Sequence, residues 1–290
     1  MEGLIQQVFA GLANGAIYAA LGIALVIIYQ ATHHINFAQG EMAMFSTYIA
    51  WSLINAGIPY WWAFAATIVL SFVGGVAIQR IVLRPFDHAP ALSVILVSVG
   101  LLLVFNSLAG WLFTYTMKSF PSPFPATAPS PTSYLSMHEI GIIAVTGAML
   151  AMVYAFFRLT PLGLAMRAAA ENPVSSALSG INVGRMLATG WGLAAAVGAV
   201  AGMLVAPIVF LDPNMMSGII IYSLAAALLG GITNPWGAMV GGFIVGIVEN
   251  IAGAYLLGTE VKLAIALAII VGVLLVKPAG LFGQRSVKRV

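Results

Sequence analysis

Long stretches of this chain contain no charged residue, and that feature limits its possible folds more than any other. A helix needs about 20 mostly apolar residues to cross a lipid bilayer, and several of these stretches reach that length. Only 7% of the 290 residues are charged and 61% are hydrophobic, whereas about 25% of the residues in a soluble domain are charged. So few charges cannot cover the surface of a soluble protein, which excludes the water-soluble, disordered and nucleic-acid-binding classes.

The apolar stretches predict an all-α fold, a polytopic membrane helix bundle of about 8–9 transmembrane segments. Some segments are short, and we expect broken or short helices within a single transmembrane domain over residues 1–290. No basic region precedes the first segment, so we expect it to remain as a helix and not to be removed as a signal peptide. The predicted segments are 4–30, 41–57, 60–83, 91–116, 139–157, 187–211, 217–232, 236–257 and 261–276.

Nine of the eleven basic residues fall in three regions, and by the positive-inside rule these regions face the cytoplasm. The number of crossings between the regions is even, so one orientation satisfies all three. If segment 41–57 crosses fully, the N-terminus lies outside; if that segment only re-enters the membrane, the N-terminus lies inside. The three groups are Arg80 and Arg84; Arg158, Arg167 and Arg185; and Lys277, Arg285, Lys288 and Arg289.

The loop over residues 117–137 is external in this orientation and rich in proline. Proline lacks a backbone N–H and fixes φ, so the loop cannot be helical and is expected to be extended and semi-rigid. It serves either as a connector or as a contact for an external partner.

A polar run, Ile35-Asn36-Phe37-Ala38-Gln39-Gly40-Glu41, separates the first two apolar segments. It contains no proline that would form an ordinary turn, and its last residue opens the next segment, where the helix dipole favours an acid. The run is either a capped loop at the membrane surface or a broken helix whose backbone lines a polar cavity.

A second polar run, residues 211–218, precedes the short segment 217–232. Both runs follow a long apolar segment and precede a short one, and in the predicted topology they start from opposite sides of the membrane. Paired interruptions of opposite direction are typical of transporters built from inverted repeats.

An acidic residue, Glu249, lies within the apolar segment 236–257 on a face formed by glycines. That face points it into the bundle, because an exposed carboxylate in lipid costs about 3 kcal/mol. Glu249 therefore needs a polar partner, for which Asn250 is adjacent, and it is either a structural hydrogen-bonding residue or part of a transport path. The glycines on its face are Gly242, Gly246 and Gly253, and a similar small face on the first segment holds Gly11, Asn14, Gly15, Tyr18 and Gly22.

The cytoplasmic segment 158–186 has the sequence signals of two short helices. Residues 164–171 favour a helix, Asn172 followed by Pro173 is an N-cap with proline at the first position, and Gly180 is a C-terminal cap. A basic loop of this kind could contact anionic lipid. Its small, Ala-rich surface favours a docking site for another protein.

Sequence signals of catalysis are missing from this chain. It has no Gly-x-x-x-x-Gly-Lys-Ser/Thr phosphate loop, no second histidine after His138-Glu139, and no catalytic triad or carboxylate pair at a usable spacing. We therefore expect no catalytic residue, no metal site and no cofactor bound by this chain. If ATP drives transport, ATP and Mg²⁺ are expected on separate subunits.

An ordered set of motifs runs along nearly the whole chain and resembles the LivH-like branch of the membrane-spanning permeases of ATP-binding-cassette importers for branched-chain amino acids. The set comprises the run 35–41, Arg84-Pro85, Gly163-Leu-Ala-Met-Arg-Ala-Ala-Ala, Gly180-Ile-Asn-Val, the stretch 229–242 and Lys277-Pro-Ala-Gly-Leu-Phe-Gly. Each motif is weak alone, but together and in this order they are specific.

The resemblance implies a set of partners and two sets of functional residues. The partners are a second homologous permease subunit, two cytoplasmic ATP-binding subunits and a periplasmic or lipid-anchored substrate-binding protein, all at the cytoplasmic (inner) membrane of a prokaryote, surrounded by lipid. Contact with the ATP-binding subunits is implied for Arg167, Glu171, Asn172 and Gly180. The candidate substrate path includes Asn36, Phe37, Gln39, Gly40 and Glu41, and we add Glu249 and Asn250 as candidates from their place in the membrane.

Two departures from the family pattern leave the substrate open. Gln39 replaces the usual histidine, and Asn234-Pro235-Trp236 replaces a segment of small residues. The function implied is import of branched-chain or related amino acids by alternating access. The alternatives are a permease for urea or short amides, a permease for simple sugars or nucleosides, and a channel that works without ATP.

Overall fold

The computed structural model describes residues 2–86, 89–124, 135–255 and 262–283. Within these ranges the regular secondary structure is helical, and extended pairing is limited to one isolated bridge between Lys118 and Leu211. The helices are α1 (Glu2–Thr32), α2 (Gln39–Asn55), α3 (Tyr60–Ile78), α4 (Ala91–Phe113), α5 (Met137–Leu159), α6 (Pro161–Glu171), α7 (Pro173–Leu178), α8 (Val183–Val209), α9 (Ile219–Gly230), α10 (Pro235–Tyr255) and α11 (Lys262–Val276).

The predicted all-α polytopic bundle is confirmed. Six helices in the described residues are long and apolar enough to cross a membrane, and α9 and α11 are shorter apolar helices. A π-turn (Gln79–Leu83) and a 3-10 turn (Arg84–Phe86) extend α3 toward its basic end. The six candidate spans are Gly3–Thr32, Tyr60–Phe86, Leu92–Phe113, Met137–Leu159, Val183–Val209 and Pro235–Tyr255.

The helices form two compact units. The first unit comprises Met1–Val26, Phe124–Leu150 and Gly218–Val290, and the second comprises Ile27–Pro123 and Ala151–Ser217. Two of the boundaries between the units fall inside helices, one within α1 and one within α5. The single domain over 1–290 stays a prediction.

In the first unit, α1 and α10 pack closely through their glycines. A Cβ atom at Gly15 would lie 2.7 Å from the Gly242 carbonyl oxygen, and one at Gly11 would lie 2.9 Å from the Gly246 carbonyl oxygen. The paired residue numbers rise on α1 as they fall on α10, so the two helices are antiparallel. This confirms that the small faces predicted on these two segments are packing faces.

In the second unit, α8 is the central helix and packs against α2 and α3. Its buried face is made of alanine, glycine and valine, which lets neighbouring backbones approach closely. A Cβ atom at Gly202 would lie 2.6 Å from the Ala43 carbonyl oxygen, so even alanine could not be accommodated without moving α2. Gly198 faces Gln39 in the same way, and the order of these contacts makes α2 parallel to α8.

The predicted helix caps of the segment 158–186 are confirmed. The Ser175 N–H donates to the Asn172 Oδ1 at 2.9 Å, Pro173 occupies the first position of α7, and Gly180 follows with a φ of +86°. The helix before it begins at Pro161, three residues earlier than the sequence signals indicate, because Thr160 caps it by accepting from the Gly163 N–H at 3.0 Å. Arg158 belongs to the last turn of α5.

Part of the predicted external loop 117–137 can be compared with the structure. Residues 125–134 lie outside the described residues, and Met137 already belongs to α5. Residues 114–124 are not helical, as predicted, and the Lys118 and Leu211 backbones exchange two hydrogen bonds of 2.9 Å. The start of this loop is therefore held against the second polar run.

Candidate functional site

The polar run 35–41 is an interruption between α1 and α2 whose side chains bond to one another. The chain turns sharply just before the run, since His33 has a φ of +56°. The Asn36 Oδ1 accepts from the Ala38 N–H at 3.0 Å, and the Asn36 Nδ2 donates to the Gln39 Oε1 at 3.3 Å. These contacts replace the helical hydrogen bonds that the break removes.

Gln39 joins this break to the middle of α8. Its side chain is fully buried, and its Nε2 donates to the Ala194 carbonyl oxygen at 2.9 Å. Ala194 is the twelfth residue of the 27 in α8, which places the start of α2 about halfway along that helix. The break is therefore inside the bundle and not at the end of a span. Gly40 is buried beside Gln39, and Phe37 is half-buried.

Glu41 is a buried carboxylate in the first turn of α2, with 5% of its surface exposed. It lies within interaction range of the Asn106 side-chain amide and of the Asp212 carboxylate. Asn106 comes from α4, and Asp212 belongs to the second polar run. Within the second unit, the two polar runs are therefore close enough for the Glu41 and Asp212 carboxylates to interact electrostatically.

Asn106 fixes the second polar run against α4. Its Nδ2 donates to the Pro213 carbonyl oxygen at 2.9 Å and to the Asn214 Oδ1 at 3.1 Å. The Asp212 Oδ1 accepts from the Asn214 N–H at 2.7 Å and closes a tight turn. Sequence reasoning missed Asn106, although an amide in an apolar segment was the signal that could have identified it.

A cavity of about 530 Å³ lies at the carboxyl end of α2. The Lys118 Nζ is 4.9 Å from the centre of the Trp51 ring in its wall, a cation–π contact. About one helical turn closer to Glu41, the Tyr48 ring stacks on Phe113 with a centroid distance of 4.4 Å. The cavity is lined by Trp51, Ile54, Asn55, Lys118, Ser119, Phe120 and Pro121.

The residues predicted to contact an ATP-binding subunit lie on the surface, on α6 or in the residues that flank α7. Arg167, Glu171, Asn172 and Gly180 are exposed. The same two helices expose apolar side chains that would normally be covered: Leu162 is 53% exposed, Leu164 60%, Val174 71% and Leu178 86%. We call these eight exposed residues, the four predicted contact residues and the four apolar ones, the α6–α7 surface.

The opposite side of α6 is fixed to three longer helices. Gly163 packs against the Phe156 backbone near the end of α5, and a Cβ atom at Gly190 of α8 would lie 3.4 Å from the Met166 Cε. The His33 Nε2 lies 2.9 Å from the Ala170 carbonyl oxygen, which joins α6 to the start of the first polar run. These contacts join α6 to α5, to α8 and to His33, the residue that follows α1.

Glu249 belongs to the first unit and has hydrogen-bond partners on α1 and α11. The Tyr18 hydroxyl donates to its Oε2 at 2.7 Å, and the Lys262 Nζ lies 3.4 Å from its Oε1. The adjacent Asn250 is not its partner: its Nδ2 donates to the Gln7 Oε1 at 2.7 Å, and its Oδ1 accepts from Lys262 at 3.2 Å. The candidate residues Glu41 and Glu249 thus lie in different units.

This chain is similar in sequence to known transport permeases. A family described as "Branched-chain amino acid transport system / permease component" matches residues 7–274. The LivH permease of the high-affinity branched-chain amino acid transport system of Escherichia coli is 32% identical and covers 99% of this chain and 97% of its own length. The permease BraD of the high-affinity branched-chain amino acid transport system of Pseudomonas aeruginosa is 30% identical, over 99% of this chain and 98% of its own length.

A more distant relative is the probable branched-chain amino acid transport permease LivH of Methanocaldococcus jannaschii, 27% identical over 91% of this chain and 87% of its own length. The match thus extends across both polar runs, the α6–α7 surface and the Glu249 network. The chain belongs to the family of branched-chain amino acid transport system permease components.

Proposed function

We propose that this chain is the permease subunit of an ATP-driven importer that moves branched-chain amino acids across the cytoplasmic membrane of a prokaryote. Two ATP-binding subunits would bind the α6–α7 surfaces of this chain and of a second homologous permease. A periplasmic or lipid-anchored substrate-binding protein would deliver the amino acid to the outer face. ATP and Mg²⁺ would bind to the ATP-binding subunits.

The observation that carries the proposal is the α6–α7 surface. Helices of 11 and 6 residues are too short to cross a bilayer, yet they expose four large apolar side chains. Around these lie Arg167 and Glu171, whose charges are suited to water and to a protein partner, not to hydrocarbon. An apolar centre with a charged rim is the anatomy of a protein–protein interface.

The contacts behind this surface support a mechanism of alternating access. Closure of the ATP-binding subunits would displace α6, and the His33–Ala170 and Met166–Gly190 contacts would transmit that motion to the ends of α1 and α8. Because Gln39 is bonded to the middle of α8, the break between α1 and α2 would move with it. The path beside Glu41 would then open outward, and hydrolysis would reset it.

The contact between His33 and Ala170 supports one of the two orientations of the N-terminus. The carboxyl end of α1 touches α6 through His33, and α6 lies on the cytoplasmic side in this proposal. Because α1 is long enough to cross the membrane, its amino end would lie outside.

Charge reversal on α6 tests the proposed coupling. We expect Arg167→Glu and Glu171→Lys to abolish ATP-dependent leucine uptake in reconstituted proteoliposomes while membrane insertion is retained. Arg84→Glu is the matched control, because Arg84 is also an exposed arginine but lies at the end of α3. Unchanged uptake in both α6 variants would contradict the coupling role.

The substrate class is tested in the same proteoliposomes. Excess leucine, isoleucine or valine should compete with labelled leucine for uptake, whereas urea and short neutral amides should not. Competition by urea or amides in place of branched-chain amino acids would favour the alternative substrate class. Uptake without any ATP-binding subunit would favour a channel.

A further inference from the structure

The segment that follows α11 folds back against the end of α9. The Leu281 N–H donates to the Leu229 carbonyl oxygen at 2.8 Å, and the Phe282 N–H donates to the Gly230 carbonyl oxygen at 2.9 Å. Leu229 and Gly230 are the last two residues of α9, and the last carbonyls of a helix have no partner within it. The segment therefore caps the carboxyl end of α9, and we call residues 277–283 the strap.

Two glycines let the strap lie this close to α9. Gly231 and Gly280 have φ values of +112° and +76°, a backbone conformation that glycine adopts without steric cost. A Cβ atom at Gly280 would lie 2.5 Å from the Leu228 carbonyl oxygen, so a larger residue does not fit there without displacing α9. The backbone of the strap is therefore held in one position.

Although its backbone is held, the strap exposes two large apolar side chains. Leu281 and Phe282 are each about half exposed, and so is Trp236 in the first turn of α10. The Asn234 Nδ2 lies 3.5 Å from the Phe282 carbonyl oxygen, so α10 begins beside the strap. Tryptophan is enriched at membrane–water interfaces, and these three side chains form an apolar surface suited to that boundary.

The helix before the strap leads to the same boundary. The 15 residues of α11 extend over about 22 Å, less than the thickness of about 30 Å of a hydrocarbon core. α11 begins at Lys262, whose ammonium group lies 3.4 Å from the Glu249 carboxylate inside the bundle, and its last residue, Val276, is largely exposed. Leu281 and Phe282 therefore continue the exposed apolar surface of α11 toward the membrane boundary.

The strap is also positively charged. Lys277 is exposed, and its Nζ donates to the Leu281 carbonyl oxygen at 3.1 Å, which holds the ammonium group beside the exposed leucine. An ammonium group has three N–H donors, and this bond uses one of them. No acid occurs in residues 277–290, and by the positive-inside rule this end faces the cytoplasm. Three more bases follow outside the described residues: Arg285, Lys288 and Arg289.

We propose that the strap and Trp236 form a binding site for an anionic phospholipid of the cytoplasmic leaflet. The Lys277 ammonium group would donate to the headgroup phosphate, and Leu281 and Phe282 would lie against the start of the acyl chains. Bases directly after a membrane helix on its cytoplasmic side attract anionic lipid. A lipid fits better than a protein, because these side chains continue the surface of a membrane helix. The site goes beyond the proposed function, since it involves neither the solute nor the ATP-binding subunit.

Site-specific fluorescence quenching tests the site in the assembled complex. The chain has no native cysteine, so a fluorophore attached to Phe282→Cys before assembly reports on this position alone. The complex is placed in phosphatidylcholine vesicles with a small fraction of brominated phosphatidylglycerol or the same fraction of brominated phosphatidylcholine. We expect stronger quenching by the anionic lipid. Equal quenching by the two brominated lipids would overturn the site.

Two further labelled positions show whether residue 282 contacts lipid at all. Leu103→Cys on α4 should be quenched by both brominated lipids alike, and Leu178→Cys on α7 should be quenched by neither, since α7 is too short to cross the membrane. Quenching at Phe282→Cys no stronger than at Leu178→Cys would overturn the site. Crosslinking of Phe282→Cys to an ATP-binding subunit would assign the surface to a protein and would also overturn it.

Substitution of Lys277 tests the headgroup contact. One base near an anionic surface favours binding by about fivefold, so Lys277→Gln should lower the preference for phosphatidylglycerol at Phe282→Cys by about that factor. Lys277→Arg keeps the charge and should keep the preference. Quenching by brominated phosphatidylcholine in the same variant shows that the strap is still in place. An unchanged preference in Lys277→Gln would overturn the site.

Arg84→Gln is the matched control for Lys277→Gln. Arg84 is an exposed base at the end of α3, in the other unit, and its removal changes the net charge of the chain by the same amount. We expect the preference for phosphatidylglycerol at Phe282→Cys to be unchanged. An equal loss in this control would show that net charge and not the strap sets the preference, and would overturn the assignment.

Discussion

Removal of the Tyr18 hydroxyl isolates one interaction in the network around Glu249. The hydroxyl donates to the Glu249 Oε2 at 2.7 Å in a buried site. The Tyr18 ring stacks on Tyr222 with a centroid distance of 4.8 Å and an interplanar angle of 18°. Tyr18→Phe keeps that ring in place and leaves the carboxylate with one partner fewer.

The magnitude follows from the charge of the acceptor. Hydrogen bonds to charged groups contribute about 1.5–3 kcal/mol in soluble proteins, whereas hydrogen bonds in a membrane protein average about 0.6 kcal/mol. The Lys262 Nζ, 3.4 Å from the other oxygen, still compensates part of the charge. We therefore expect a loss of about 1–1.5 kcal/mol in the free energy of unfolding, which lowers the melting temperature by about 2–5 °C.

The assay is thermal unfolding of the purified permease in detergent, with Tyr222→Phe as the matched control. Tyr222 contributes its ring to the same stack but makes no hydrogen bond to Glu249 in the described structure. We expect the control to unfold within about 1 °C of the unaltered protein. Equal melting temperatures for Tyr18→Phe and Tyr222→Phe would refute a structural role for this hydrogen bond.

Two further substitutions test the packing and the coupling contacts. Gly15→Val should lower the yield of folded protein in the membrane, because a Cβ atom at Gly15 would lie 2.7 Å from the Gly242 carbonyl oxygen. Gly147→Ala should not lower the yield, because nothing lies within 4 Å of a Cβ atom at that position. Equal yields would contradict the close α1–α10 contact. His33→Ala should lower uptake by about threefold to tenfold while ATP hydrolysis continues. His34→Ala should not lower uptake, because the bond described for the His34 ring is to the nearby Thr32 carbonyl oxygen. Equal uptake in both variants would contradict the coupling contact.

Much of the fold could be predicted because lipid imposes simple requirements on a sequence. Charge-free stretches located the helices to within a few residues, since every exposed polar backbone group in a bilayer must be bonded. The caps at Asn172 and Gly180 were predictable because they depend on residues a few positions apart. The packing of Gly15 was predictable for a related reason: small residues at helical spacing form a face.

The partners of the polar residues could not be predicted because they depend on which helices are neighbours. Glu249 bonds to Tyr18, 231 positions away, and not to the adjacent Asn250 as expected. Lys262 stood out in the sequence only as a basic residue outside the cytoplasmic groups. Asn106 and Asn214, 108 positions apart, carry no periodic signal that joins them. Hydrophobic spacing gives each helix a face but does not state what that face contacts.

Cysteine crosslinking tests most directly the central claim that the α6–α7 surface binds the ATP-binding subunit. The chain has no native cysteine, so a single introduced cysteine reports on one position. Leu164→Cys on α6 is compared with Leu103→Cys on α4, since both leucines are 60% exposed. A short bifunctional reagent should join Leu164→Cys to the ATP-binding subunit in the assembled complex and should leave Leu103→Cys unjoined. Crosslinking from α4 with none from α6 would contradict the claim.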